Sequence, residues 1–382
     1  MSANNTPATH GSPDNSTPHS SAPQRETVLP EITHGYRRLV IRNRWVSVHF
    51  PTRVLVTALG LLLLALIGAI AAITLGEYPL SLGEVFSALF SRDGGFDSTI
   101  VREWRLPIAV SAVAFGALLG IGGAIFQSLT RNPLGSPDVI GFDAGAYTAV
   151  VLTMLVIGTS NFWAIAGASI VGGIITALAV YLLAWRKGVQ GFRLIIVGIG
   201  VSAMLTSINS YLITRADVEE AIQVGFWAAG SITKVTWQGL VPTMLLGIIV
   251  VIAATAYSRA LRHLELGDDA ATTQGFAVNR ARLGLIVIGV ATTALVTAAA
   301  GPISFIALVA PQIARRIMRT AGVSLLGAAA MGATLLTGAH ILSLVIATFY
   351  RQIPVGLITV VIGGSYMLWL LLRESTRRYG AV

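Results

Sequence analysis

Cysteine is absent from the 382 residues, and only 11% of them are charged, where soluble domains carry about 25%. Without a thiol there is no disulfide framework, haem thioether attachment or iron–sulfur ligation. With 54% apolar residues and a mean hydropathy of +0.75, soluble enzymes and nucleic-acid modules are excluded as well. The helices of this chain are built from residues that lipid accepts. A net charge of +9 and a pI near 10.3 would point to nucleic acid in a soluble chain; here the position of the charges matters more than their sum.

Other scarcities narrow the chemistry. A phosphate-cradling P-loop needs Gly-Lys-Ser/Thr, but the only lysines, Lys187 and Lys234, follow Arg186 and Thr233. The chain therefore cannot hydrolyse ATP by that chemistry. Carriers driven by protons or cations usually place carboxylates near the bilayer midplane, and no Asp or Glu interrupts the long apolar runs. Asp138 and Asp143 are expected just before the third helix, at its cytoplasmic end, as solvated or capping carboxylates rather than a coupling site. Of six histidines only His340 falls within a span, where it reads as a packing or interfacial residue. A bare transition metal meets no ligand cluster, so the cargo arrives already chelated or is not a metal.

Crossing roughly 30 Å of hydrocarbon takes about 20 helical residues. Runs free of charge and long enough span 54–76, 106–130, 144–185, 194–214, 235–258, 283–314, 320–350 and 352–372. The third is divided at Gly158-Thr159-Ser160-Asn161 and the sixth at Gly301-Pro302, which predicts about ten transmembrane helices in an all-α integral membrane protein. An even number puts both termini on one side. With that side cytoplasmic, the outside keeps only Arg92, Arg102, Arg105, Arg215, Lys234 and Arg351 of 26 basic residues, beside Glu77, Glu84, Asp93, Asp97, Glu103, Asp217, Glu219 and Glu220. This is the positive-inside distribution. It predicts a multi-pass protein of the plasma (inner) membrane.

Residues 1–45 are expected to form a disordered cytoplasmic tail, rich in Ser, Thr, Pro and Asn, ahead of a ten-helix domain over 46–382. The basic stretch from Tyr36 to Arg53 is expected on anionic lipid headgroups. Forty glycines, among them Gly116-x-x-x-Gly120 and Gly172-Gly173, predict close helix contacts. Two irregular stretches stand out. Arg131-Asn132-Pro133-Leu134-Gly135-Ser136-Pro137-Asp138 and Gly301-Pro302-Ile303-Ser304 each read either as a tight turn or as a gating element.

The longest cytoplasmic loop, Arg259 to Arg282, carries Leu264-Glu265-Leu266-Gly267-Asp268-Asp269-Ala270-Ala271-Thr272-Thr273-Gln274-Gly275-Phe276. It reads as a surface helix pair, with Asp268 as a cap and Gly275 as a left-handed terminator. Exposed Leu264, Leu266 and Phe276 would mark a docking site for a cytoplasmic partner. Outside, residues 217–237 predict an interfacial helix with Trp227 and Trp237 at headgroup level, either an anchor or a lid.

These segments, in this order, resemble the FecCD family of ABC importer permeases for iron–siderophores, haem and cobalamin. The carriers are Glu103-Trp-Arg-Leu-Pro107, Phe126-Gln-Ser-Leu-Thr-Arg-Asn-Pro-Leu-Gly-Ser-Pro-Asp-Val-Ile-Gly-Phe142, Phe192-Arg-Leu-Ile-Ile-Val-Gly-Ile-Gly200, Gly225-Phe-Trp-Ala-Ala-Gly-Ser231, Leu266-Gly-Asp-Asp269, Gly301-Pro-Ile-Ser-Phe-Ile-Ala-Leu-Val-Ala-Pro311 and Gln352-Ile-Pro-Val-Gly356. The second and sixth look most like the ferric-enterobactin type. The resemblance implies a type II ABC importer permease fold and import of a ferric siderophore, enterobactin or another catecholate. Cobalamin, haem or a hydroxamate siderophore is the alternative within the family, and an ion-coupled secondary carrier is the alternative outside it.

The implied partners are an ABC ATPase dimer that uses the ATP and Mg, a second permease subunit, an extracytoplasmic siderophore-binding protein and membrane lipid; nucleic acid is not among them. The chain itself would be a transport subunit with no catalytic residue, metal site or bound cofactor. Residues Leu264, Leu266, Gly267, Asp268, Asp269, Ala270, Gln274, Gly275 and Phe276 correspond to the ATPase-coupling segment. Arg105 and Arg351 correspond to binding-protein docking residues. Gln127, Asn132, Pro133, Gly301, Pro302 and Gln312 fall on the translocation path or gate. Three positions depart from the family pattern: Ile108 where an arginine is usual, Gln312 for histidine and Gln274 for leucine.

Overall fold

The computed structural model describes residues 38–42, 47–91, 95–185 and 191–379, and every structural statement below concerns these. The first described elements are two short strands. β1 (Arg38–Arg42) pairs antiparallel with β2 (Ser47–Pro51), Arg38 opposite Pro51 and Arg42 opposite Ser47. Within this register Leu39 is opposite Phe50 and Ile41 opposite Val48. The remainder of the predicted tail, residues 1–37 and 43–45, lies outside the described residues.

Helices follow in chain order: α1 (Thr52–Thr74), α2 (Leu82–Phe90), α3 (Phe96–Thr99) continuing through a π-helical turn (Ile100–Arg105) into α4 (Leu106–Thr130), then α5 (Pro137–Ile140), α6 (Phe142–Leu155), α7 (Phe162–Ala184) and α8 (Gly191–Arg215). After these come α9 (Val218–Ala228), α10 (Trp237–Ala256), α11 (Ser258–Glu265), α12 (Asp268–Thr273), α13 (Val278–Ala300), α14 (Ile306–Met318), α15 (Leu325–Ala347) and α16 (Val355–Tyr379). Eight helical stretches are long and apolar enough to cross a bilayer. α6 and α14, with 14 and 13 residues, each rise only about 20 Å. They are the short halves of the two divided runs, and with them about ten helices build the membrane domain.

Local chemistry sets both divisions. α6 ends near Gly158, whose φ is +73°, and Asn161 caps α7 by accepting the amides of Trp163 and Ala164. α13 stops at Gly301, also at φ +73°, followed by Pro302, and α14 begins only after Phe305, itself left-handed at φ +68°. The core is built around α4 and α13, the most buried spans. Gly116 and Gly120 of α4 lie directly on the backbone of α15, at Gly332 and Ala328, so a side chain at either glycine would meet a carbonyl. Phe126, Phe142, Ile125 and Leu285 fill one hydrophobic cluster, and Phe115, Leu240, Ile303 and Leu336 another. Leu59, Leu63, Ile67, Ile175, Leu182, Leu245, Ile249 and Ile252 stay exposed as a lipid-facing surface.

Candidate functional site

The expected cytoplasmic helix pair forms as α11 and α12. Gly275, at φ +82°, closes α12: its amide and that of Phe276 donate to Thr272 and Ala271, the pattern of a left-handed terminator. Asp268 differs from its expected role. The cap position belongs to Gly267, and the Asp268 carboxylate instead accepts from Arg282 at 2.7 Å and Arg131 at 3.2 Å. A buried guanidinium at the start of α13 attracts this acid more strongly than free amides do, because a charge-assisted bond is the stronger one. Leu264 is buried and Phe276 packs on the His263 ring, so neither is a free docking group. Leu266 (68% exposed), Asp269 and Gln274 remain at the surface, with Ala270 half-buried between them.

Sequence reasoning missed how this hairpin is fastened. Glu265 Oε1 accepts the Ser128 hydroxyl at 2.6 Å and the Val323 amide at 3.3 Å. Together with Arg131 and Arg282, these bonds tie the hairpin to the end of α4, the start of α13 and the turn between α14 and α15. The only signal in the chain was Glu265 itself, an acid among basic residues, and its partners lie 137 and 58 positions away.

Four of the six path residues meet. Asn132 folds its own turn by accepting the Leu134 amide at 2.9 Å, and Gln312 donates to the Pro133 carbonyl at 2.6 Å. Gln127 donates to the Leu308 carbonyl at 2.7 Å. Both glutamines are buried. Gly301 and Pro302 lie apart from this group, at the far end of α13, against Trp227 and Gly230. There Ser231 donates its amide to Ala300, and Gly356 donates to Gly230.

Asp138 and Asp143 are not solvated groups at a cytoplasmic edge. Asp138 Oδ2 accepts the amide of Phe305, at the opposite end of α14 from Met318 and about 20 Å along its axis. Asp143 Oδ1 accepts the Thr297 hydroxyl at 3.4 Å, near the end of α13. The turn after α4 re-enters the helix bundle before α6 begins, so a carboxylate placed by hydropathy at the membrane edge stands within the protein. His340 is buried in α15, as expected of a packing residue. Among the described residues no three of His, Cys, Asp and Glu gather as a metal site.

On the side opposite the hairpin, a cavity of about 420 Å³ is lined by Gln223, Phe226 and Trp227 of α9, by Thr233 and Lys234, and by Ala298 to Ala300. Trp227 stacks on Tyr147 at 6.0 Å, while Trp237 donates to the Arg102 carbonyl. α9 thus lines one side of a concave surface. Arg105 is occupied: its guanidinium donates to the carbonyls of Ile73 and Tyr78 and closes the end of α1. Arg351 is exposed. α8 is the least buried span, and its open face carries Thr206, Ser207, Ser210, Tyr211 and Thr214. Hydroxyls in that position suit a protein neighbour or water better than lipid.

The family model described as "FecCD transport family" matches residues 62–373. The chain is 45% identical over 331 residues to the ferric enterobactin transport system permease protein FepG of Escherichia coli (strain K12), covering 87% of this chain and all of that one. It is 32% identical over 331 residues to the iron(3+)-hydroxamate import system permease protein FhuG of Bacillus subtilis (strain 168), covering 84% and 97%. Its fold is similar to a solved inward-facing conformation of a putative metal-chelate type ABC transporter, with a TM-score of 0.72 and 23% identity over 83% of this chain and 98% of that one. The family match runs through nearly every membrane helix and takes in the two irregular segments and the hairpin, and FepG is matched over its whole length: the chain belongs to the FecCD transport family.

Proposed function

We propose that the chain is a permease subunit of an ATP-driven importer for ferric siderophores, with ferric enterobactin or a related catecholate as cargo. The end-to-end 45% identity to FepG carries this reading. An ATPase dimer that uses ATP and Mg docks on the face of α11 and α12 that exposes Leu266, Asp269 and Gln274. A second permease subunit, a paralogue or another copy, packs on the hydroxyl-bearing face of α8, and the cargo passes between the two. A siderophore-binding protein delivers the chelate to the outer surface around Arg351, above the cavity beneath α9. Both termini lie in the cytoplasm, and the protein resides in the plasma (inner) membrane.

The 32% identity to FhuG supports a second cargo, a hydroxamate chelate. Uptake of radiolabelled iron in a strain lacking the gene, complemented with this chain and its partners, separates the two. Ferric enterobactin is expected to accumulate and ferric hydroxamate to stay at background; the reverse outcome reassigns the cargo.

A further inference from the structure

We propose that Asp138 is a positioning residue for translocation: its carboxylate latches the turn after α4 to the break before α14, so that the two irregular segments move as one body. The inference rests on the transport reading above and adds a residue to it.

Phe305 occupies the cap position of α14 in a left-handed conformation, φ +68° and ψ −24°, with no side-chain cap of its own. L residues with a bulky side chain rarely hold that geometry unless their surroundings impose it. Two contacts impose it here. Gly363 of α16 leaves the space that the Phe305 β-carbon fills, and Asp138 Oδ2 accepts the Phe305 amide at 3.0 Å from 167 residues away in the chain. Asp138 thus supplies, from another segment, the acceptor that a helix start needs.

The same turn is held again further along α14, where Gln312 donates to Pro133. Residues 305 and 312 are about 10 Å apart along a helix, so two separated bonds strap the turn lengthwise onto α14. Beyond α14, Val323 donates to Glu265 of the cytoplasmic hairpin, and before it Gly301 rests on Trp227 of α9. Asp138 therefore sits where a displacement of the hairpin can reach the cavity beside α9. Asp143 is the other carboxyl group at this place and is engaged by Thr297. The second oxygen of Asp138, Oδ1, is sheltered and has no hydrogen-bond partner among the described residues. One carboxylate oxygen thus does the holding, and the other is available to a partner in a different arrangement of the segments.

The test uses the full complex of permease subunits, ATPase and binding protein in proteoliposomes, with ferric enterobactin as probe. Asp138→Ala is expected to lower chelate transported per ATP about tenfold while ATP hydrolysis persists. Asp138→Asn, which keeps an acceptor oxygen, is expected to retain most of the coupling. Wild-type stoichiometry in Asp138→Ala, or a failure of Asp138→Asn as complete as that of Asp138→Ala, overturns the latch. A second measurement, on the same complex, does not depend on the cargo. Spin labels on Leu134→Cys and Ser304→Cys, in a chain that has no other cysteine, should keep one separation with and without nucleotide and spread once Asp138→Ala is added. An unchanged distribution in that variant also overturns the latch. If the wild-type complex does not move ferric enterobactin at all, the cargo reading falls, and the label distances still decide the latch.

Discussion

Arg282 holds its guanidinium at 6% side-chain exposure, and the acid that meets it, Asp268, is 39% exposed. Removing that acid strips a buried cation of a charge-assisted bond, so Asp268→Ala is expected to destabilise the protein by about 2 kcal/mol. Arg131→Ala, at the half-exposed end of the same acid, is expected to cost under about 1 kcal/mol. Thermal unfolding in detergent ranks the two. Arg105 and Arg351 separate in a similar way. Arg105→Glu should loosen the corner between α1 and α2 and lower stability, because the carbonyls of Ile73 and Tyr78 lose their donor and face a carboxylate instead. Arg351→Glu should leave stability unchanged and slow binding-protein association at low salt, an effect that fades as salt screens the charge. Stopped-flow association at two ionic strengths checks this, and salt-independent kinetics identical to wild type would remove Arg351 from docking. At this scale the amino-acid pattern was least informative. It marked Asp268 and Asp138 as notable but read them as local caps or solvated carboxylates, and each is used by a group more than a dozen residues away.

Among the elements, breaks and glycine faces were readable because they depend on local backbone. Gly158 and Gly301 take a left-handed φ, Asn161 caps α7 and Pro302 follows the end of α13, and both long runs divide where those residues stand. The glycine pair in α4 was legible for the same reason. Gly116→Val is expected to drive a branched side chain into the Gly332 backbone of α15, costing about 3 kcal/mol or more and lowering the yield of monodisperse protein, whereas Gly364→Ala, which faces open space, should be neutral. Gel filtration of the two variants side by side tests the packing. The depth at which α5 and α6 begin was hidden, since hydropathy counts residues along the chain and gives no signal that a turn re-enters the bundle. This is why Asp138 and Asp143 were expected at the wrong level. The Arg38–Arg42 strand was hidden by the polar composition around it.

For the molecule as a whole, the approximate number of helices followed from composition, because lipid admits few alternatives. The surfaces that meet other chains were only partly visible. α8 shows its opening only in three dimensions, as a span whose exposed face carries Ser, Thr and Tyr and is covered by no helix among the described residues. Ser207→Trp on that face is expected to abolish pairing with the second permease subunit without unfolding this one, as native mass spectrometry of the purified complex would reveal. Under the proposed function the chain is a conduit that does no chemistry and is driven through the α11–α12 hairpin. Transport by purified complex in proteoliposomes tests that most directly: ferric enterobactin should accumulate inside only when ATP and the partner ATPase are present on the hairpin side. Accumulation by the permease alone, on a proton or sodium gradient without ATP, would contradict it and would make Asp138 and Asp143 a coupling site.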